Sequence, residues 1–521
     1  MALSVVLTLL PILLIVALMT WKRVAADLSG IAGWLFTLLI AFLFFHTSIE
    51  LGLRASLAGI ISSFPVSLMV VTSLLQISFM EATGALKRIA VFIKTFASSD
   101  QAVQIMLINV GAGTLLVAVG ATPVSILPPI MIALGYSTFV AVALPAIGFD
   151  ALCTFALLGA PLVVYSDLTG TPLVQSAQVF AKFLPVISTL IGFGMLWIVG
   201  RMELVKKGFI PCLLAGVTNG GVAVIMSHLT FLPPSSMVLI GVVAGACTML
   251  MMLLYLKLTG KPIIDRSILT AEDRQVEKGM SLGVALSPWI ILVVSCMVIN
   301  FYKPLGDFLS VNFAMPISVI QGQVIKTRML WNAYTWVLIS TIAAAVFIRP
   351  TSEAWKDSLK KWAKRAPRPF ISAAIFFAIA FVMNNSGYQM ANGTWKLVEN
   401  SSNMIWVLAR SSADAFGALY PFISGYLGLF GGFISGSEAS TIAMFTKYHI
   451  ETSRLLNVSP LIVTAATAIG GGLASVISPA KLQNAAATID ALGIESEVIK
   501  TAFVISALMT LVAAVMAMFL A

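Results

Sequence analysis

Long apolar runs alternate with short polar ones along the chain, and the apolar runs have the length of a bilayer crossing. A helix rising about 1.5 Å per residue needs about 20 apolar residues to cross the hydrocarbon. Runs of this kind lie at 3–20, 27–46, 56–80, 178–200, 208–228, 236–256, 283–301, 330–348, 370–386 and 499–520. Two longer regions, 101–170 and 403–495, are equally apolar but are interrupted by Gly, Pro and isolated charges. The pattern predicts an all-α polytopic membrane protein with about 12–16 membrane segments. Residues 3–20 lack a basic stretch before the apolar run, and Lys22 and Arg23 follow it, so an uncleaved first helix is expected rather than a signal peptide.

The polar stretches between the runs carry clustered Lys and Arg. The heaviest cluster is 349–368, with Arg349, Lys356, Lys360, Lys361, Lys364, Arg365 and Arg368. Lys206–Lys207, the 257–278 segment, Lys22–Arg23 and the group Lys87, Arg88 and Lys94 are further clusters. Under the positive-inside rule these mark cytoplasmic loops of a plasma (inner) membrane protein. Alternating the spans between them puts the N-terminus and 388–402 outside.

This orientation predicts an internal repeat. Three spans lead into 101–170 from the inside, and 283–301, 330–348 and 370–386 lead into 403–495 from the outside. The halves 1–200 and 283–521 are therefore expected to be inverted-topology repeats, with 201–282 as the connecting hairpin and cytoplasmic loop. In the first half, 1–98 would be scaffold and 101–170 a broken-helix transport region; 403–495 would be its counterpart. Short echoes agree. Ala146-Ile147-Gly148 followed by Gly159-Ala160-Pro161 corresponds to Ala468-Ile469-Gly470 followed by Ser478-Pro479, and Gly111, Gly113 and Gly120 to Gly431, Gly432 and Gly436. Segments 85–97 and 388–402 occupy equivalent places, as interfacial arms or as plain loops.

Backbone that leaves the helix inside hydrocarbon survives only where it is buried or lines a cavity. One such break runs from Val119 through Gly120, Ala121, Thr122, Pro123 and Val124 to Ser125, before Pro128-Pro129. The other is Ile434-Ser435-Gly436-Ser437-Glu438-Ala439-Ser440-Thr441. Each is expected to be the tip of a re-entrant hairpin. A helix starting at such a tip turns free N–H groups and a positive dipole end toward the cavity, and Ser and Thr add donors, so the chemistry suits a carboxylate. The substrate-binding candidates are Gly120, Ala121, Thr122, Ser125, Ser435, Gly436, Ser437, Ser440, Thr441, Ser478 and Lys481. Lys481 either balances an anion or snorkels to the surface. Gln483 and Asn484 are possible polar liners, and Asn384, Asn385 and Ser386 close the span 370–386. Acids inside the membrane are candidates for ion coupling, which marks Asp150 and Glu438. Burial favours the protonated carboxyl, so either could exchange a proton, or ligate sodium through its oxygens. Asp414, four residues after Arg410, reads as a structural ion pair.

Composition narrows the remaining classes. Hydrophobic residues are 59% of the chain and charged residues 10%, against about 25% charged in soluble domains. The net charge of +10 sits in loop clusters, which argues against a nucleic-acid partner. Cys153, Cys212, Cys247 and Cys296 lie in apolar stretches, and His46, His228 and His449 are scattered, so no metal site, cofactor or disulfide framework is expected. No His-Glu-x-x-His or nucleotide-binding loop points to an enzyme.

Three segments resemble the lactate permease family. Phe381-Val-Met-Asn-Asn-Ser-Gly387 is similar to its F-x-S-N-Y-S-G segment. The stretch Gly428 to Phe445, through Ser435-Gly436-Ser437-Glu438, resembles its G-x-F-L-T-G-S-D-T-S-S-N-A-L-F segment. Ala465 to Pro479 is similar to A-N-T-T-G-G-V-x-G-K-M-I-S-P-Q. The resemblance implies a proton symporter for lactate or glycolate, and the symmetry with its interfacial arms favours alternating access of elevator type. It points to Ser435, Gly436, Ser437, Glu438, Ser440, Ser478 and Pro479 as site positions. The chain departs from the family where the first-half motif E-G-A-A-G-F-G-A-P-V is replaced by Val-Ala-Val-Gly120-Ala-Thr-Pro-Val124, at Asp150, and at Ala480-Lys481. The expected partners are a small organic anion and the lipid bilayer, with a homodimer as a candidate assembly. A proton- or sodium-coupled di- or tricarboxylate carrier is the nearest alternative, and a membrane-embedded subunit of a larger complex is the alternative from another class.

Overall fold

The structure, a computed structural model, describes residues 2–96, 100–475 and 477–521, with Asp150, Pro479 and Ala480 described by backbone alone. It is 80% helical. Among the described residues, 12 helical stretches are long and apolar enough to cross a membrane.

The chain opens with α1 (Ala2–Thr20) and α2 (Ala26–Phe44), then α3 (Ile49–Ser62) and α4 (Phe64–Ala82). The expected single span 56–80 is corrected here. Pro65, at the start of α4, lacks the N–H that would continue the ladder, and the chain bends at Ser63. The short amphipathic α5 (Ala85–Lys94) follows. The first broken region then contains α6 (Gln101–Ile105), a π-helical turn at Met106–Ala112, α7 (Gly113–Ala118), α8 (Pro123–Ala133) and α9 (Thr138–Gly148). A 3-10 stretch, Phe149–Phe155, leads into α10 (Ala156–Thr169). Helices α11 (Leu173–Ala181) and α12 (Leu184–Lys207) close the first half, so the expected span 178–200 begins later and runs further.

The connector is α13 (Phe209–His228), α14 (Ile240–Leu258) and the polar α15 (Ala271–Gly279). Helix α15 begins with a capping box formed by Thr270 and Asp273.

The second half starts with α16 (Leu282–Phe301), the short α17 (Lys303–Asp307) and a β-hairpin of β1 (Met315–Ile317) and β2 (Ile325–Thr327). Next come α18 (Ala333–Ile348), α19 (Ser352–Arg365) and α20 (Pro367–Asn385). Segment 388–402 is not a helical arm. It folds as antiparallel β3 (Tyr388–Ala391) and β4 (Thr394–Leu397) before α21 (Met404–Phe416). Then come α22 (Tyr420–Ser435), α23 (Glu438–Leu456), α24 (Pro460–Ser475), α25 (Pro479–Ala487) and α26 (Glu495–Leu520).

The packing between the halves is reciprocal. Helix α3 lies on α20, as α19 lies on α4; α2 lies on α20, as α18 lies on α4. Within the halves α1 packs on α2, as α16 packs on α18. Across them, α5 touches α16 and α21 touches α1. Among the broken helices α8 packs on α25, and α10 on α23. The apolar interior forms two clusters. One gathers α4–α14 with α16, α18 and α24–α26, the other gathers α1–α3 with α21 and α22, and α20, α23 and α24 contribute to both.

Candidate functional site

Both expected tips are tight glycine turns, each built with a different cap. At the first, Gly120 has φ +86°; Ala121 N–H donates to Leu116 O (2.8 Å) and Gly120 N–H to Val117 O (3.0 Å). This pair of bonds is a Schellman cap. At the second, Gly436 has φ +64° and its N–H donates to Gly432 O (2.8 Å), the simpler single-bond cap. A side chain rarely adopts these left-handed conformations, which is why glycine stands at both.

The second tip is the more polar. Ser437 caps α23, its Oγ accepting from Ser440 N–H (3.2 Å). Ser435 Oγ and Thr441 Oγ1 both donate to Ser437 O, at 3.0 and 2.9 Å. Glu438, the first residue of α23, is 3% exposed. Its Oε1 accepts from Thr154 Oγ1 at 2.8 Å, across 284 residues of sequence. This bond joins the first half's 3-10 break to the second half's hairpin. Its Oε2 has no hydrogen-bond partner of standard geometry and faces Gly472, where an added Cβ would come within 2.8 Å of it. Cys153 lies against the same glycine and the same carboxyl.

Ser478 crowns the opposite break, where α24 gives way to α25. Its Oγ would lie 3.2 Å from a Cβ on Gly436, so this break faces the second tip directly. Ser440 Oγ and Ser478 Oγ are also buried without a hydrogen-bond partner among the described residues. Buried polar atoms normally find one, so the hydroxyls on the two facing breaks are candidates to bind a ligand. Lys481 does not reach for the surface. Its Nζ lies 3.3 Å from Ser475 Oγ and 4.6 Å over the Phe149 ring, which places a cation between the two breaks.

The first tip is placed differently. Gly120 is set against Ser73 and Met69 of α4, where a Cβ would come within 2.6 Å of Ser73 Oγ. Ala121 is buried, and Thr122 and Ser125 are half-buried. Ser125 N–H donates to Thr122 O (2.9 Å) in the first turn of α8. The first tip thus meets the second-half breaks through α8 on α25. The side chain of Asp150 lies outside the described residues; its backbone is in the 3-10 stretch that carries Cys153 and Thr154.

Several participants carried no readable signal. Thr154 is a single hydroxyl in an apolar run. Ser73 and Asn109 have orphan side-chain oxygens at buried positions, Asn109 within the π-helical turn. A π turn in a helix is often found at functional sites. His449, one of the scattered histidines, is fully buried on α23. Nδ1 lies 2.7 Å from Tyr420 OH and Nε2 2.7 Å from Thr467 Oγ1, which ties α22, α23 and α24 together. The residues 384–386 do serve as a boundary. Asn385 Nδ2 donates to Phe381 O, and Ser386 Oγ donates to Met383 O while accepting from Met404 N–H. Arg410 and Asp414 form the expected exposed pair at 3.1 Å.

The sequence model of the L-lactate permease family matches residues 4–521. "Glycolate permease GlcA" of Escherichia coli K12 is 24% identical, over 96% of this chain and 92% of its own length. "L-lactate permease" of Bacillus subtilis 168 is 23% identical over 96% and 92%, and that of Streptococcus iniae 22% identical over 87% and 92%. Among solved structures, Neisseria gonorrhoeae MtrF aligns with a TM-score of 0.43 at 12% identity, covering 89% of this chain and 83% of MtrF. The Alcanivorax borkumensis YdaH transporter aligns with a TM-score of 0.41 at 14% identity, covering 89% and 86%.

Proposed function

Because the chain belongs to the L-lactate permease family, and so is a multi-pass membrane transport protein rather than an enzyme, we propose that it imports a small 2-hydroxy monocarboxylate of the lactate or glycolate type together with a proton. The observation that carries this reading is the Glu438–Thr154 junction, a carboxyl buried between the breaks of the two halves, with one oxygen bonded to Thr154 and the other facing Gly472 and Cys153. Glu438 is the first residue of α23 and is buried, so a single proton decides the charge of this site. Its charge is therefore set by what stands beside Oε2. A proton there neutralises the site and admits an anionic substrate. The Ser440 and Ser478 hydroxyls and Lys481 then supply donors and positive charge for the substrate carboxylate, and its 2-hydroxyl finds an acceptor in the neighbouring backbone and hydroxyl oxygens.

Release on the far side reverses both steps. The reciprocal packing supports inverted-repeat halves, with α1–α4 and α16–α20 as scaffold and the broken helices as the moving unit, in an elevator-like cycle. The hinges of that motion would be α5 and α21, since each follows a kinked helix pair and each touches the opposite half.

The test is uptake of labelled lactate and glycolate into proteoliposomes, with and without an imposed inward proton gradient. Gradient-driven uptake that is lost in Glu438→Gln supports the reading. Uptake that follows a sodium gradient instead, or that survives Glu438→Gln, overturns the proton assignment. Absence of lactate and glycolate uptake under every gradient overturns the substrate.

A further inference from the structure

Several cations on the surface that carries α5, α15 and α19 are neutralised by the protein's own acids. Lys87 pairs with Glu272, Arg88 and Arg266 with Glu277, Lys94 with Asp273 and Lys261 with Asp100. In and beside α19 the same holds for Lys361 with Asp357, Arg365 with Glu81 and Arg368 with Asp27. On α19 three cations are not neutralised in this way. Lys356, Lys360 and Lys364 are exposed and have no carboxylate within ion-pair distance among the described residues. They stand four residues apart, so they form one strip along the helix.

The placement of α19 determines what this strip can meet. One face is fastened to α4. Trp362 Nε1 donates to Val71 O (3.0 Å), the Trp355 ring lies 4.8 Å from Phe79, and Ser358 is buried between them. Past Ala366, Pro367 starts the apolar α20, so α19 lies where that span leaves the hydrocarbon. Around the helix, Leu359 (46% exposed) and Ala363 come next to the packed tryptophans, and the lysines come after them. Apolar residues bordering a lysine strip at the membrane boundary match the order of acyl chain and headgroup in a lipid monolayer.

We propose that α19 is a docking strip for anionic phospholipid headgroups, bound by Lys356, Lys360 and Lys364. The charge left unpaired by the protein is completed by the lipid phosphates. Such an association also anchors α19 and, through it, the scaffold helices α4 and α20 against which the broken helices work. Each lysine at an anionic surface contributes about 1 kcal/mol, or roughly fivefold in affinity.

The experiment is a lipid competition on the full-length protein in neutral detergent. Equimolar phosphatidylglycerol and phosphatidylcholine are offered, and the bound lipids are counted by native mass spectrometry. Wild type is expected to retain phosphatidylglycerol preferentially, less so at high salt. The preference should fall roughly fivefold with each Lys→Gln change, and on the order of 100-fold in Lys356→Gln/Lys360→Gln/Lys364→Gln. The corresponding Lys→Arg triple should keep it. If the triple Gln variant does not elute as a folded species, the three single variants give the same graded series. The proposal is overturned if wild type shows no preference for phosphatidylglycerol, if the Gln series keeps the wild-type preference, or if soluble hexaglutamate displaces the lipid at equal charge concentration. The last outcome would assign the strip to an acidic protein partner.

Discussion

The two hairpin tips use one backbone device with different chemistry. Each ends a helix on a left-handed glycine and starts another within three residues. The first tip, Gly120 to Pro123, is followed by prolines at 123, 128 and 129 and rests against α4. Pro123 is at home in the first turn of α8, where its missing N–H leaves no bond unmade. The second tip adds a serine cap, a crossed pair of hydroxyl bonds to Ser437 O, and a buried carboxyl. A turn alone makes an opening in the helix, and the groups on the turn decide what the opening binds. In the reading proposed above, the second tip would hold the proton and substrate chemistry, and the first would be its structural counterpart in the other half.

The sharpest way to break this comparison is to exchange polar groups at both tips. Glu438→Gln should lower proton-driven uptake by at least ~100-fold, the usual scale for losing a proton-transfer group. Thr122→Val and Ser125→Ala should each change uptake by no more than a few-fold. A large loss at Ser125 with a small one at Glu438 would reverse the roles of the two tips. Substrate counterflow, which needs no net proton movement, should survive Glu438→Gln better than driven uptake does.

The junction between halves gives the next effect. Thr154→Val removes the donor to Glu438 Oε1 and leaves that oxygen buried without a partner. The expected cost is roughly 1–3 kcal/mol of stability, read as a lower melting temperature in detergent. Glu438→Ala removes the acceptor, so Thr154→Val should cost little in that background and the two changes should be non-additive, whereas Thr154→Val and a distant change such as Ser125→Ala should add.

Much of this was readable in the sequence because lipid imposes simple rules. Apolar run length located the spans, and the two glycine tips stood out as breaks in hydrocarbon. The spans 27–46, 208–228 and 283–301 agree with α2, α13 and α16 to within two residues. The misplacements have local causes. The span 56–80 was read across Ser63 because hydropathy does not register the N–H missing at Pro65. Segment 388–402 was a candidate arm by position, but β3 and β4 close around Asn392-Gly393, both at positive φ, a turn that prescribes a hairpin. The partners of Glu438 were not readable, because Thr154 meets it only when two regions 284 residues apart fold together. His449 was passed over for the same reason, since its value lies in Tyr420 and Thr467 on either side.

The glycines themselves separate the tips on stability. Gly120→Ala places a Cβ 2.6 Å from Ser73 Oγ and 2.9 Å from Met69, at φ +86°. Gly436→Ala comes nearest Ser478 Oγ, at 3.2 Å, among the described residues, at φ +64°, inside the left-handed region that other residues sometimes occupy. Left-handed strain costs about 1–2 kcal/mol. The first substitution adds a clash that the Ser73 hydroxyl and the Met69 methyl must relieve, so it should lower the melting temperature more than the second. The second should instead weaken uptake, because the atom that must shift is a candidate ligand.

The smallest effect separates α5 and α21, the two segments proposed as hinges. Helix α5 is held by charge. Lys94 Nζ lies 3.0 Å from Asp273, Lys87 pairs with Glu272 and Arg88 with Glu277, all on α15. Helix α21 is held by neutral bonds, with Tyr448 OH donating to Ser412 Oγ at 2.8 Å and Asn403 capping its start. Burial pushes the Asp273 carboxyl up, but its bonds to Lys94 and Thr270 outweigh this and hold it below the ordinary carboxylate range. The Lys87 contact likewise holds Glu272 low. A carboxyl with a depressed folded value contributes stability in full above its unfolded value near ~4 and loses it as pH falls through the folded one. The α5–α15 contact should therefore stay closed at neutral and mildly acid pH and loosen only below about pH 4. Asp273→Asn should mimic that loosening at neutral pH, at a cost of roughly 1 kcal/mol. Hydrogen exchange over 85–94 should rise in this variant, and in high salt, while exchange over 404–416 stays unchanged. Equal responses in the two segments would show that charge does not distinguish the hinges.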